Sequence, residues 1–175
     1  AELARLVRRC YFSVPKERRA PGLRITVSAS VFVPKNFTPF QWEAQLDAET
    51  VVRRQKLLRD ALREVTGVDF KYHAPDVSFI EAVFARGDRR LADVLERAYR
   101  LGCRFDGWSD QFRYDLWLKA FEETGLDPAF YALRERPAGE VFPWDHLDCG
   151  VTKSFRKGCV GCGVNRYEEA TACGR

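Results

Sequence analysis

Residues 24–33 read RITVSASVFV, and this stretch decides the fold. It is rich in β-branched residues, which favour strands, and it carries small residues at its centre. A continuous run of this kind is typical of a strand that is buried on both faces in a parallel sheet. Pro34 ends the run, because proline cannot continue the hydrogen bonding of a sheet.

The segments on either side of this strand complete an alternating pattern. The spacing of apolar residues predicts helices over residues 2–12 and 48–66, with Gly67 ending the second helix. Residues 68–73 predict a second, short strand. The order helix, strand, helix, strand is typical of a parallel sheet or a βα barrel, and it predicts an α/β fold.

Composition excludes several classes of protein. The chain has 175 residues, 46% of them hydrophobic, and a net charge of +4, which is ordinary for a globular protein. It lacks the long apolar run of a transmembrane helix, and its first ten residues lack the apolar core of a signal peptide. We therefore expect a cytoplasmic protein with no membrane partner.

The later part of the chain changes character. Its spacing predicts helices over residues 77–85, 89–101, 109–124 and 127–133. The aromatic residues that follow Gly102 keep a roughly helical spacing, which favours packing in a core, with a base-stacking platform as the alternative. They are Phe105, Trp108, Phe112, Tyr114, Trp117 and Phe121.

The end of the chain predicts a metal site. Cys159 and Cys162 form a Cys-x-x-Cys pair separated by Val160 and Gly161, and Cys149 and Cys173 could complete a set of four thiolates. Such a set suits zinc or an iron–sulfur cluster, and the residues do not decide between them. A reduced tail without metal is the alternative.

Two further segments could bind small molecules. The loop from Pro34 to Trp42 follows the carboxyl end of a predicted strand, where βα barrels bind ligands, and Thr38 and Gln41 offer polar contacts there. Arg86 and Arg89 belong to a basic turn between two predicted helices. Their guanidinium groups could hold an anionic substrate, and a solvated basic turn is the alternative.

Several segments resemble one known family. The stretches VSASVFVPKNFTPFQW, FIEAVFARGDRRLADVLERAYRLGCRFDGW, PWDHLDCGV and GCVGCG occur in this order over about residues 24–165. They are similar to the C-terminal part of radical S-adenosylmethionine (SAM) proteins that carry a cobalamin-binding-like domain ahead of a partial (βα)6 barrel.

This resemblance implies a domain organisation and cofactors. Residues 1–67 would be the last βα units of the barrel, 68–143 a mainly helical extension, and 144–175 a tail that holds an auxiliary iron–sulfur cluster or zinc. Phe32, Pro34 and Lys35 would contact SAM, and cobalamin is a further candidate cofactor. In such enzymes a [4Fe-4S] cluster cleaves SAM to a 5′-deoxyadenosyl radical that attacks the substrate.

The family's Cys-x-x-x-Cys-x-x-Cys cluster motif is absent from this sequence, which also contains no methionine. We therefore expect the chain to be inactive alone and to act with an N-terminal remainder of the same protein. The substrate is open, with RNA or a ribosome-associated macromolecule as a candidate. The alternative is a non-catalytic, zinc-bound module that binds RNA or protein through Arg86, Arg89, Arg90 and Arg156. A purely structural domain whose tail thiols are free is a third interpretation.

Overall fold

The computed structural model describes residues 2–20, 22–63, 65 and 67–161, with the backbone alone for residues 159–161. Over these residues the protein is a mixed α/β structure with seven α-helices and a two-stranded parallel sheet. The residues group into two compact units. The first contains the chain up to Phe32 together with Leu46–Ser78, and the second contains Val33–Gln45 and the chain from Phe79 onward.

The first unit contains the predicted alternation of helices and strands. Its elements are α1 (Glu2–Ser13), β1 (Ile25–Ala29), α2 (Ala48–Arg63) and β2 (Val68–Tyr72), with a short 3-10 helix at Lys16–Arg18. All four main elements were expected, and β1 is shorter than the predicted strand. The division predicted at residue 67 separates two strands that pair directly, so β2 belongs with β1 rather than with the helical extension.

The two strands run parallel, and their register places apolar residues on one face. Ile25 pairs with Val68 and Val27 pairs with Phe70. These side chains pack with residues of α1 and α2, including Leu62, to form the core of this unit. The crossover between β1 and β2 passes through α2, which makes this segment a βαβ unit.

The other face of the sheet is uncovered, so the predicted burial of β1 on both faces is wrong for the described residues. Thr26 and Ser28 are exposed, and so are Asp69 and Lys71 opposite them on β2. Successive side chains of a strand point to opposite faces. The polar residues that interrupt the apolar run therefore line one bare face.

Gly67 connects α2 to the sheet at a position that only glycine fits well. Its φ is +78°, and a Cβ there would lie 2.8 Å from the carbonyl oxygen of Leu23. The carbonyl oxygen of Gly67 accepts a 2.8 Å hydrogen bond from the amide of Ile25, which sets the start of the strand pairing.

The second unit is mainly helical. The helix α3 (Pro75–Ala85) begins in the first unit and continues here, and it is followed by α4 (Leu91–Leu101), α5 (Tyr114–Thr124), α6 (Pro128–Ala132) and α7 (Lys153–Gly161). The predicted helices correspond to α3–α6, although α5 begins five residues later than expected. Nothing in the sequence pattern predicted α7.

Two apolar clusters hold the second unit together. Val83, Val94 and Phe121 are completely or almost completely buried in the larger cluster, which α3, α4, α5 and α6 share. A smaller cluster consists of Trp42, Phe142 and Trp144, and Phe37 packs against it. Among the residues that the structure describes, no helix is both long enough and apolar enough to cross a membrane.

Candidate functional site

A cavity lies at the carboxyl end of β1, within the first unit. It has a volume of about 230 Å³, and its walls include Ser30, Phe32, Arg54 and Gln55. Ligands of open α/β sheets bind outside the carboxyl ends of parallel strands. The wall combines aromatic and aliphatic surface with one guanidinium group, which suits a ligand that carries a planar ring and an anionic group.

The residues expected to contact SAM belong to different units. Phe32 lines the cavity of the first unit, whereas Pro34 and Lys35 belong to the second. Pro34 is fully buried, and the Lys35 ammonium forms an ion pair with Glu81. Lys35 remains about half exposed, so its ammonium is accessible to solvent.

Gln41 is buried and organises the loop that was expected to contact substrate. It is 1% exposed, and its Oε1 accepts hydrogen bonds from Trp144 Nε1 at 3.0 Å and from the amide of Phe37 at 3.3 Å. Thr38 caps the short 3-10 helix Pro39–Trp42, because its Oγ1 accepts from the amide of Phe40. Both side chains therefore fix the shape of the loop.

Arg86 is also buried, with 1% of its surface exposed. Its guanidinium donates hydrogen bonds to the carbonyl oxygens of Ala132, at 2.6 Å, and Arg134, at 2.8 Å. Burial lowers the pKa of Arg86 to about 10, and the nearby charges of Arg136 and Arg134 add to this effect. The guanidinium thus joins the end of α3 to the segment that follows α6.

The neighbouring arginines differ from Arg86 in their surroundings. Arg89 is exposed, while Arg90 forms a two-point ion pair with Asp88, with contacts of 3.0 and 2.7 Å. Arg156 is buried. The alternative function, a module that binds RNA or protein, uses Arg86, Arg89, Arg90 and Arg156. Of these four, Arg89 is exposed, and the structure records no hydrogen bond or ion pair of its side chain.

The sequence analysis did not identify a second buried arginine, Arg136, which contacts Arg86. The Arg136 guanidinium lies over the rings of Phe142 and Trp144, at 5.3 and 5.4 Å from their centres, and donates to the carbonyl oxygen of Arg86. Arg134 holds both oxygens of Glu140, and this hydrogen bonding lowers the pKa of Glu140. The sequence did offer one indication of this contact: Trp144 follows Arg136 by eight residues, and arginine often stacks on aromatic rings.

The predicted metal ligands fall mostly outside the described side chains. The Cys159 side chain, Cys162 and Cys173 are not described. Cys149 is exposed, and its sulfur accepts a 2.8 Å hydrogen bond from Arg156 Nη1. Among the described residues, no group of three or more His, Cys, Asp or Glu side chains is arranged to hold a metal ion.

Comparison with protein-family models, with curated proteins and with solved structures found no match to the chain.

Proposed function

We propose that this chain is the C-terminal, substrate-side part of a radical SAM enzyme. The observation that carries the proposal is the open parallel sheet with a cavity at its carboxyl end. Among the described residues each strand has a single neighbour. Parallel sheets are normally covered on both faces, and an isolated pair of strands is only marginally stable. A small sheet with one uncovered face is expected for the last βα units of a barrel when the other strands of that barrel are absent.

The polar face of the sheet supports the same interpretation. Thr26 and Ser28 would face the interior of the completed barrel, together with Asp69 and Lys71. Small polar side chains leave room inside a barrel, whereas the cavity proposed for SAM lies on the side of the sheet that faces α2, at the carboxyl end of β1. The additional strands of this barrel would come from the N-terminal remainder of the protein.

The side chains of the cavity match parts of SAM; its volume of about 230 Å³ is below the usual range of about 300–1,000 Å³, so the rest of the site would come from the completed barrel. The Arg54 guanidinium matches the carboxylate of an amino acid, and the aromatic rings of Phe32 and Phe70 match a planar base. The bound cofactor and its [4Fe-4S] cluster would supply the 5′-deoxyadenosyl radical. The part of the protein described here would orient the ligands and exclude water.

The tail remains a candidate site for an auxiliary iron–sulfur cluster or zinc. Cys149 would be its one ligand within the described side chains, and the contact with Arg156 places a positive charge at its sulfur.

The test uses the intact protein, purified without oxygen and loaded with iron and sulfide. After reduction in the presence of SAM, we expect 5′-deoxyadenosine, measured by mass spectrometry. The substitution Arg54→Ala should lower its rate of formation by roughly 10- to 150-fold, the loss of one charge-assisted hydrogen bond. The adjacent exposed Arg53, which does not line the cavity, gives the matched control Arg53→Ala.

A rate within about twofold of the unsubstituted protein is expected for the control, since surface substitutions have small effects. The absence of 5′-deoxyadenosine from fully loaded protein would reject the proposed chemistry. Equal losses in the two arginine variants would instead reject the placement of SAM in this cavity.

A further inference from the structure

An aromatic groove in the second unit is separate from the site proposed for SAM. It lies beside the end of α4, has a volume of about 440 Å³, and is lined by residues that include Tyr99, Phe105 and Trp117. This volume is within the range of about 300–1,000 Å³ that is usual for ligand sites. The groove ends at a turn in which Cys103 donates its amide hydrogen to the carbonyl oxygen of Ala98.

The rim of the groove exposes more aromatic surface than the fold requires. Phe105 is 68% exposed and Trp108 is 63% exposed, and their rings meet edge to face at 6.0 Å. Phe105 also has a φ of +59°, which is unfavourable for a residue with a bulky side chain. The backbone thus accepts strain at a residue whose ring contributes little to the core.

The wall of the groove contains a donor and an acceptor without partners. Trp117 is 6% exposed, and its Nε1 has no hydrogen-bond partner among the described residues. The same is true of Asp106 Oδ1, which is also shielded from water. Both atoms lie beneath the accessible surface of the groove, so recognition of a ligand falls to the aromatic rings and to Arg104.

One aromatic face of the groove is already covered by a cation. The Arg104 guanidinium lies 4.3 Å from the centre of the Tyr99 ring, so a positive charge already covers that aromatic face. A planar ligand that stacks on rings fits the remaining aromatic surface. Such ligands stack on aromatic rings and on guanidinium planes alike.

We propose that this groove binds the bases of a single-stranded nucleic acid. One base enters the groove and packs against its aromatic wall, and the next stacks on the exposed rings of Phe105 and Trp108. The platform extends beyond the groove, which favours a chain of bases over one free nucleotide. Arg104 is exposed at the rim, where a phosphate would pass. This inference does not depend on SAM cleavage.

The test measures binding of the intact protein to a short, fluorescein-labelled, single-stranded RNA of mixed sequence by fluorescence anisotropy. We expect quenching of tryptophan fluorescence and affinity that persists at physiological salt. Phe105→Gly removes the ring and relieves the strained φ, so it should weaken binding by about 5- to 150-fold without loss of stability. Phe105→Leu should weaken binding in the same range.

The matched control is Phe12→Ala. Phe12 lies in the first unit, is 59% exposed and meets Tyr11 edge to face, as Phe105 meets Trp108. Unchanged affinity in this control, together with the loss in both Phe105 variants, would support the proposal. Absence of RNA binding, unchanged affinity in both Phe105 variants or an equal loss in the control would overturn it.

Discussion

Replacing Arg86 with lysine tests whether its guanidinium holds the second unit together or serves as an anion site. Lysine keeps the positive charge, but it lacks the fork of donors that reaches two acceptors at fixed angles. Arg86 uses that fork on the carbonyl oxygens of Ala132 and Arg134. The amide of Gln45 also donates to the Ala132 oxygen, so the oxygen of Arg134 is the group at greater risk of losing its partner.

The loss of one hydrogen bond from a charged donor costs roughly 1.5–3 kcal/mol. We expect Arg86→Lys to lower the free energy of unfolding by about that amount. Arg89→Lys, three residues away at an exposed position, should change it by less than about 0.5 kcal/mol. Comparing the two variants separates the loss of the buried guanidinium hydrogen bonds from the general effect of replacing arginine with lysine.

Urea unfolding followed by tryptophan fluorescence provides the assay. All four tryptophans lie in the second unit, so the signal reports on the unit that contains Arg86. A lower midpoint at an unchanged slope means a loss of stability. If Arg86→Lys and Arg89→Lys gave the same small change, the structural role assigned to Arg86 would be refuted.

Two further predictions concern the same unit. Gly87→Ala should lower the free energy of unfolding by about 1–3 kcal/mol, because the added Cβ would lie 2.9 Å from the carbonyl oxygen of Val83 and would collide with Leu91. The control is Gly107→Ala, where the added Cβ meets open space. We expect this control to be nearly neutral in the same urea unfolding assay. The lowered pKa of Glu140 means that its ion pair stabilises the fold above the usual value of 4.5 and is lost as the pH falls through the lowered value. Glu140→Gln should therefore flatten the acid-induced loss of stability in pH-dependent unfolding, whereas the exposed Glu135→Gln should leave the curve unchanged.

The parts of the fold that depend on local pattern were predictable. The β-branched run predicted β1, and residues 68–73 predicted β2, whereas α2 ends at Arg63, before the predicted end at residue 66. The one-sided burial of β1 was not foreseen, because Thr26 and Ser28 were interpreted as small residues in a buried strand. Burial of a strand face depends on what covers it, which local sequence does not specify.

In the candidate sites too, features that depend on neighbouring residues could be predicted, and contacts between residues distant in sequence could not. Arg86 belongs to a basic turn in the sequence, and its burial depends on carbonyl groups 46 and 48 residues further along the chain. No local pattern encodes such a contact. The helix α7 was missed because Gly158 and Gly161 lie within it, and glycine is a poor helix former.

The central claim is that β1 and β2 are the last strands of a larger barrel. Amide hydrogen exchange measures it most directly, because pairing of an open strand edge slows exchange of its amides. The comparison is between the 175-residue chain and the native polypeptide with its proposed N-terminal remainder. We predict that residues 25–29 exchange much more slowly in the native polypeptide, including the β1 amides that do not bond to β2. Equal exchange rates in the two proteins would contradict the claim.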